Sequence, residues 1–259
     1  YKEIKKLVDK IAHKNDLGNR NFSFSIINGD YMSWNMKDLD LCEGDKCWYY
    51  KNLNPYKKYK KFNDININEL SNQAYLYGGI EGYAWRDIVM LSKSTFRSLR
   101  ENNGFLGCII GHELSHILFS DHIKNSLTLS SKIKELGILK NDKSKNNDIE
   151  DEEKKLLEME ISREDEIGAD KGAAKLLINA GFPKNTCTKW LTYMTELEKL
   201  ETETDPKSTH PGYLERYSEL EKFTEKYQIK EDFKVFKPKK WKWSFKRELN
   251  ILTFIPLNN

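Results

Sequence analysis

His112, Glu113 and His116, within Gly111-His-Glu-Leu-Ser-His116, are the residues whose types and spacing point most directly to chemistry. On a helix each residue advances about 100°, so side chains four apart stack on one face. Two imidazoles so stacked can share one tetrahedral Zn2+, with the carboxylate of Glu113 within reach of a water at that ion. Such a trio suits hydrolysis, with Glu113 as general base. The flanking Phe105, Leu106, Ile109, Ile110, Leu114, Ile117 and Leu118 are apolar nearly all round, which predicts a buried helix. A core helix with two incidental histidines is the plain alternative. The rest of the chain must supply a third ligand.

Two residues compete for that place. His122 stands ten residues after His112, the separation found in metzincins, but Phe119 occupies the position where those enzymes have a helix-breaking Gly. On an uninterrupted helix His122 would lie about 240° round from His116. Glu166, in Ser162-Arg-Glu-Asp-Glu-Ile-Gly-Ala-Asp170, is the stronger candidate. Glu166 and Asp170 share one helix face, so Glu166 can offer a carboxylate oxygen to the metal. Asp170 can accept the outer N–H of a ligating histidine. Gly168 and Ala169 are expected to let this helix approach the first one closely.

The elements that must position these groups read as an α+β order. Ile4, Leu7, Val8 and Ile11 predict an amphipathic first helix, and Phe22-Ser-Phe-Ser-Ile-Ile predicts a strand. Residues 31–66 show no sustained period and read as an irregular excursion. Residues 72–79 and 85–91 read as two strands around Gly78, Gly79 and Gly82, the second leading toward the metal helix. A strand in that place is often an exposed edge, to which an extended peptide could add by backbone pairing. Residues 120–158, rich in Lys and Asn, read as a solvated insertion or mobile lid. Helices are expected near 158–180, 184–202 and 211–228, the last opened by Pro211. The tail, 229–259, is basic, and its Trp241-x-Trp243-x-Phe245 alternation predicts a strand. Its aromatic and Lys residues suit either packing on the domain or a membrane-surface or protein partner.

The 259 residues carry 38% hydrophobic and 32% charged side chains, so the core must be concentrated in a few segments. A net charge of +3 gives no argument for nucleic acid. No apolar run is long enough to span a bilayer. The chain opens at Tyr1 rather than Met, which fits a removed leader or an anchor upstream. Of the four cysteines, Cys42 and Cys47 are close enough in sequence to suggest a disulfide loop and an oxidising compartment. Cys108, one turn before His112, reads as a small buried packing residue.

Taken together the motifs resemble peptidase family forty-eight, the HtpX, BepA and CAAX prenyl protease type. The resemblance rests on Asn72-Gln-Ala, Gly111-His-Glu-Leu-Ser-His, Ser162-Arg-Glu-Asp-Glu-Ile-Gly-Ala-Asp, Ala180-Gly-Phe-Pro and Ser208-Thr-His-Pro-Gly-Tyr-Leu-Glu-Arg216. It covers roughly residues 70–222. It implies a mainly helical zincin-like metallopeptidase domain over residues 1–228, with a small antiparallel sheet beside the metal helix and residues 229–259 packed on it. It also implies one Zn2+ held by His112, His116 and Glu166, with Glu113 as base and a polypeptide substrate. His210 would lie near the metal, either as an oxyanion donor or as a latch on the open position, and Arg216 would anchor its loop by pairing with an acid. The absence of apolar spans is similar to the envelope or periplasmic branch. A metal-stabilised binding module without turnover is the competing expectation.

Overall fold

The computed structural model describes residues 1–38, 67–99, 102–136, 147–199, 201–229 and 240–257. It shows the mainly helical α+β architecture. Cys42 and Cys47, and most of the expected irregular excursion, lie outside the described residues. The part of that excursion that is described is a helix, α2 (Asp30–Asp38).

A five-stranded sheet runs in the order β2-β3-β1-β5-β4. These strands are β1 (Phe22–Ile27), β2 (Gly82–Trp85), β3 (Ile88–Ser92), β4 (Trp241–Lys246) and β5 (Ile251–Pro256). The sheet is mixed rather than wholly antiparallel, because β1 pairs with β3 in parallel. A parallel pair needs a crossover, which here includes α2 and α3 (Ile67–Tyr77). Helix α3 also replaces the first of the two expected strands. Ala74 on it is fully buried, and the helix packs on α4 (Lys93–Leu99). The hairpin therefore forms between β2 and β3, around Arg86 and Asp87.

One face of the sheet carries buried Phe22, Phe24, Val89, Leu91, Leu252 and Phe254. Helix α1 (Lys2–Ala12) adds Ile4, Leu7, Val8 and Ile11 to the same core. The tail belongs to this sheet, with β5 pairing directly with β1. Trp241 and Trp243 pack on Phe254, the second edge-on. Both indole N–H groups donate to Asp9 Oδ1, at 2.7 and 2.8 Å, so each half-buried aromatic keeps a polar partner.

Helix α5 (Asn103–Phe119) is buried along nearly its whole length. Asn102 caps its start by accepting from the Phe105 N–H. It packs most extensively on α7 (Asn147–Asn179). Gly172 permits the approach, since a Cβ there would fall 2.3 Å from Ser115 Oγ. Gly168 does not serve this purpose, for open space lies beside it.

Where it is described, the expected lid is regular helix, and its residues 137–146 lie outside the described residues. Residues 121–136 form α6 (Asp121–Leu136), which lies against the N-terminal part of α7. Ile133, Leu157 and Ile161, with Leu129, make a small core of their own there. Cys108 also differs from expectation, because it is bonded to Cys187 on α8 (Thr186–Glu198), with Cα atoms 5.5 Å apart. The bond ties the metal-motif helix to α8 one turn before His112. The last helix, α9 (Tyr213–Lys226), packs on α7 and α8.

Candidate metal centre

Helix α5 presents His112 and His116 on one face, with their Nε2 atoms 3.2 Å apart. From α7, Glu166 brings Oε2 to 3.3 Å of His112 Nε2 and Oε1 to 3.5 Å of His116 Nε2. Among the described residues this trio is the group able to hold a metal ion, its donor atoms all lying within 4.8 Å of one another. The donor set of two imidazoles and one carboxylate fits zinc.

The outer ring nitrogens are also committed. His112 Nδ1 lies 2.9 Å from Asp170 Oδ1, and His116 Nδ1 lies 2.9 Å from Asp121 Oδ2. With Nδ1–H donating to a carboxylate, each ring turns an Nε2 lone pair toward the shared point, the orientation a metal needs. Asp170 is itself gripped by Arg216, whose Nε and Nη2 donate to its two oxygens at 2.8 and 2.7 Å. Arg216 comes from α9, so three helices converge on His112.

Asp121 is the residue that the sequence reading missed. It opens α6 directly after Ser120, whose left-handed conformation (φ 56°) ends α5. The rotation argument against His122 assumed an unbroken helix, and α5 in fact breaks at Ser120. The geometry instead brings Glu166 to the histidines. An acidic residue just past the motif was the available signal for Asp121.

Electrostatics follow from this packing. Burial pulls the His112 pKa down, but Asp170 and Glu166 outweigh it and hold the imidazole up at about 10. Burial likewise opposes charge on His116, but Asp121 and Glu166 carry it up to about 9. Burial acts to raise Glu166, and the two imidazoles, with His210, overcome that and hold the carboxyl well below its usual range. Burial raises Glu113, the effect expected of a carboxyl tuned toward base chemistry.

Glu113 is buried beside the trio. Its carboxylate lies against Gly82 of β2, where a Cβ would fall 2.7 Å from Oε1. Strand β2 and two of the trio thus share a cleft of about 370 Å3, whose lining includes Glu113, His116, Glu166 and His210. His210 reaches in from the loop before α9, its Nε2 3.7 Å from Glu166 Oε1. Arg163 of α7 holds that loop by donating to the carbonyls of Pro206 and Ser208. Behind His112 stands Trp190 of α8, its ring centroid 6.4 Å away.

A His-His-Glu group joined across two helices, with a buried carboxylate and a strand edge beside it, is the arrangement of a metal-dependent hydrolase. The model of peptidase family M48 matches residues 55–224, a span that contains the trio, Glu113, Asp121, Asp170, His210 and Arg216. The chain belongs to peptidase family M48, a family of zinc metallopeptidases. No curated protein and no solved structure matches it.

Proposed function

We propose that the chain is a zinc-dependent endopeptidase acting on extended, unfolded polypeptide. The observation that carries this reading is the buried Glu113 carboxylate beside the His112–His116–Glu166 group, in a cleft bounded by the β2 edge. Zinc, when bound, acidifies a water and polarises the scissile carbonyl. His112, His116 and Glu166 would hold it, while Asp170 and Asp121 fix the ring orientations. Glu113 takes the proton of the attacking water and passes it to the leaving amine. Its raised pKa brings it nearer to the value that this two-way transfer requires. His210, at the cleft and close to Glu166, would donate to the developing oxyanion. Among the described residues strand β2 ends the sheet, so an extended substrate can pair with its outer edge.

The 3.7 Å approach of His210 to Glu166 also favours a second reading. In it, His210 occupies the open metal position as a latch, and the protein acts chiefly as a chaperone-like binding module. The two readings separate on proteolysis of casein, an unfolded protein. The endopeptidase reading expects cleavage that is abolished in Glu113→Gln with zinc retained. A latched module expects little cleavage until His210 is replaced.

Placement in the cell envelope or periplasm accords with the Cys108–Cys187 disulfide, because such bonds persist in oxidising compartments. Among the described residues no helix is long and apolar enough to cross a membrane. A partner or membrane surface reached through the Lys-rich tail fits Lys242 and Lys246, which are exposed on β4.

A further inference from the structure

Strand β2 contributes two aromatic residues to the lining of the cleft. Its register with β3 places Gly82 and Ala84 opposite buried Leu91 and Val89, on the core face. Tyr83 and Trp85 therefore point to the other face, two residues apart, and both line the cleft that holds Glu113 and Glu166. Trp85 is 61% exposed, with the Arg86 guanidinium 5.9 Å from its ring centroid. Tyr83 is held in place, its hydroxyl donating to Asp30 Oδ2 at 2.9 Å and facing Glu81 Oε2 at 3.2 Å. Glu81 in turn accepts from the Asp30 backbone N–H at the start of α2. Burial and these two carboxylates push the Tyr83 phenol up, so it stays neutral with its proton committed to them. What Tyr83 offers the cleft is a fixed ring.

We propose that Tyr83 and Trp85 form a specificity shelf that selects polypeptides carrying apolar or aromatic side chains two residues apart. This rests on the reading of the cleft as a substrate site. A peptide added to the outer edge of β2 alternates its side chains between the two faces of the sheet. Every second one comes beside Tyr83 or Trp85 at cross-strand distance, where aromatic–apolar pairs are favoured. The core face leaves no such room, since Gly82 is already closed over by Glu113 and Ile109. Recognition thus falls to one face, and it favours sequences that a folded protein would bury.

Binding tests this apart from hydrolysis. The Glu113→Gln protein, loaded with zinc, is titrated against two fluorescein-labelled peptides by fluorescence polarisation. One carries Leu and Phe at alternate positions, and the other carries Ser in their place. The shelf predicts that the apolar peptide binds more tightly. Adding Trp85→Ala should remove roughly two- to five-fold of that advantage, and Trp85→Phe should keep most of it. Zinc content of each variant reports whether the centre is intact. An equal preference with and without the Trp85 ring, or no preference at all, overturns the shelf. Peptide selection by a wild-type protein that cuts nothing would overturn hydrolysis and leave the shelf standing.

Discussion

Asp121 Oδ2 meets His116 Nδ1 at 2.9 Å across the left-handed residue that ends α5. The contact reproduces, on a different helix, what Asp170 does for His112. Replacing an outer-shell carboxylate of this kind lowers metal affinity by about 10–100-fold. Asp121→Ala should therefore weaken zinc binding by that order in competition with a chelating dye. Asp121→Asn keeps an acceptor and should lose less. Equal zinc affinity in all three proteins would reduce Asp121 to a structural helix start.

The raised histidines make zinc uptake a proton-releasing event. With both imidazoles held above their ordinary value by the surrounding carboxylates, the pair holds more protons at neutral pH in the metal-free protein than free imidazoles would. Zinc must displace those protons, so its apparent affinity should rise with pH. Calorimetry in two buffers of different ionisation enthalpy should show net proton release on zinc binding at pH 7. Stability of the metal-free fold runs the other way. A folded pKa above the ordinary 6.5 of histidine gives a contribution fully present below 6.5 and lost as pH rises through about 9 to 10. Urea midpoints of the metal-free protein should accordingly fall between pH 6 and pH 10.

Arg216 and Asp170 form a buried bidentate pair, with side chains 11% and 2% exposed. Arg216→Ala would leave the Asp170 charge without its strongest partner. Breaking such a pair from one side costs about 3–5 kcal/mol. Chemical unfolding should show a loss of that order, and Arg216→Lys should recover part of it because the bidentate geometry is not restored.

Much of this centre was legible in the sequence because its signals are local. His112 and His116 are four apart, as are Glu166 and Asp170, and helical spacing alone puts each pair on one face. What escaped depends on partners distant in the chain. Cys108 looked like a packing residue because nothing near it signals Cys187, 79 residues away. Tyr75-Leu-Tyr77 suggested a strand, but burial of Ala74 and packing on α4 hold that stretch as helix. The polar 120–158 segment hid a sparse apolar stripe, Leu129 and Ile133, which gains a core only when Leu157 and Ile161 face it. Asp121 was missed because Phe119 suggested a continuous helix, whereas the chain turns at Ser120.

The disulfide should matter for stability. In the chain-entropy model a loop of 79 residues gives a stabilisation of about 4.5 kcal/mol, and measured values are commonly about 2–4. Cys187→Ser should lower the urea midpoint correspondingly. Reductant should shift the wild type toward the mutant, and by more than it shifts the mutant, which already lacks this bond.

The most direct test of the centre is metal content by elemental analysis of purified wild-type, Glu166→Ala and His122→Ala proteins, each checked for fold by circular dichroism. A centre built from His112, His116 and Glu166 predicts one zinc per chain in the wild type and in His122→Ala. It also predicts a large loss in Glu166→Ala. Zinc retained in Glu166→Ala but lost in His122→Ala would contradict the account.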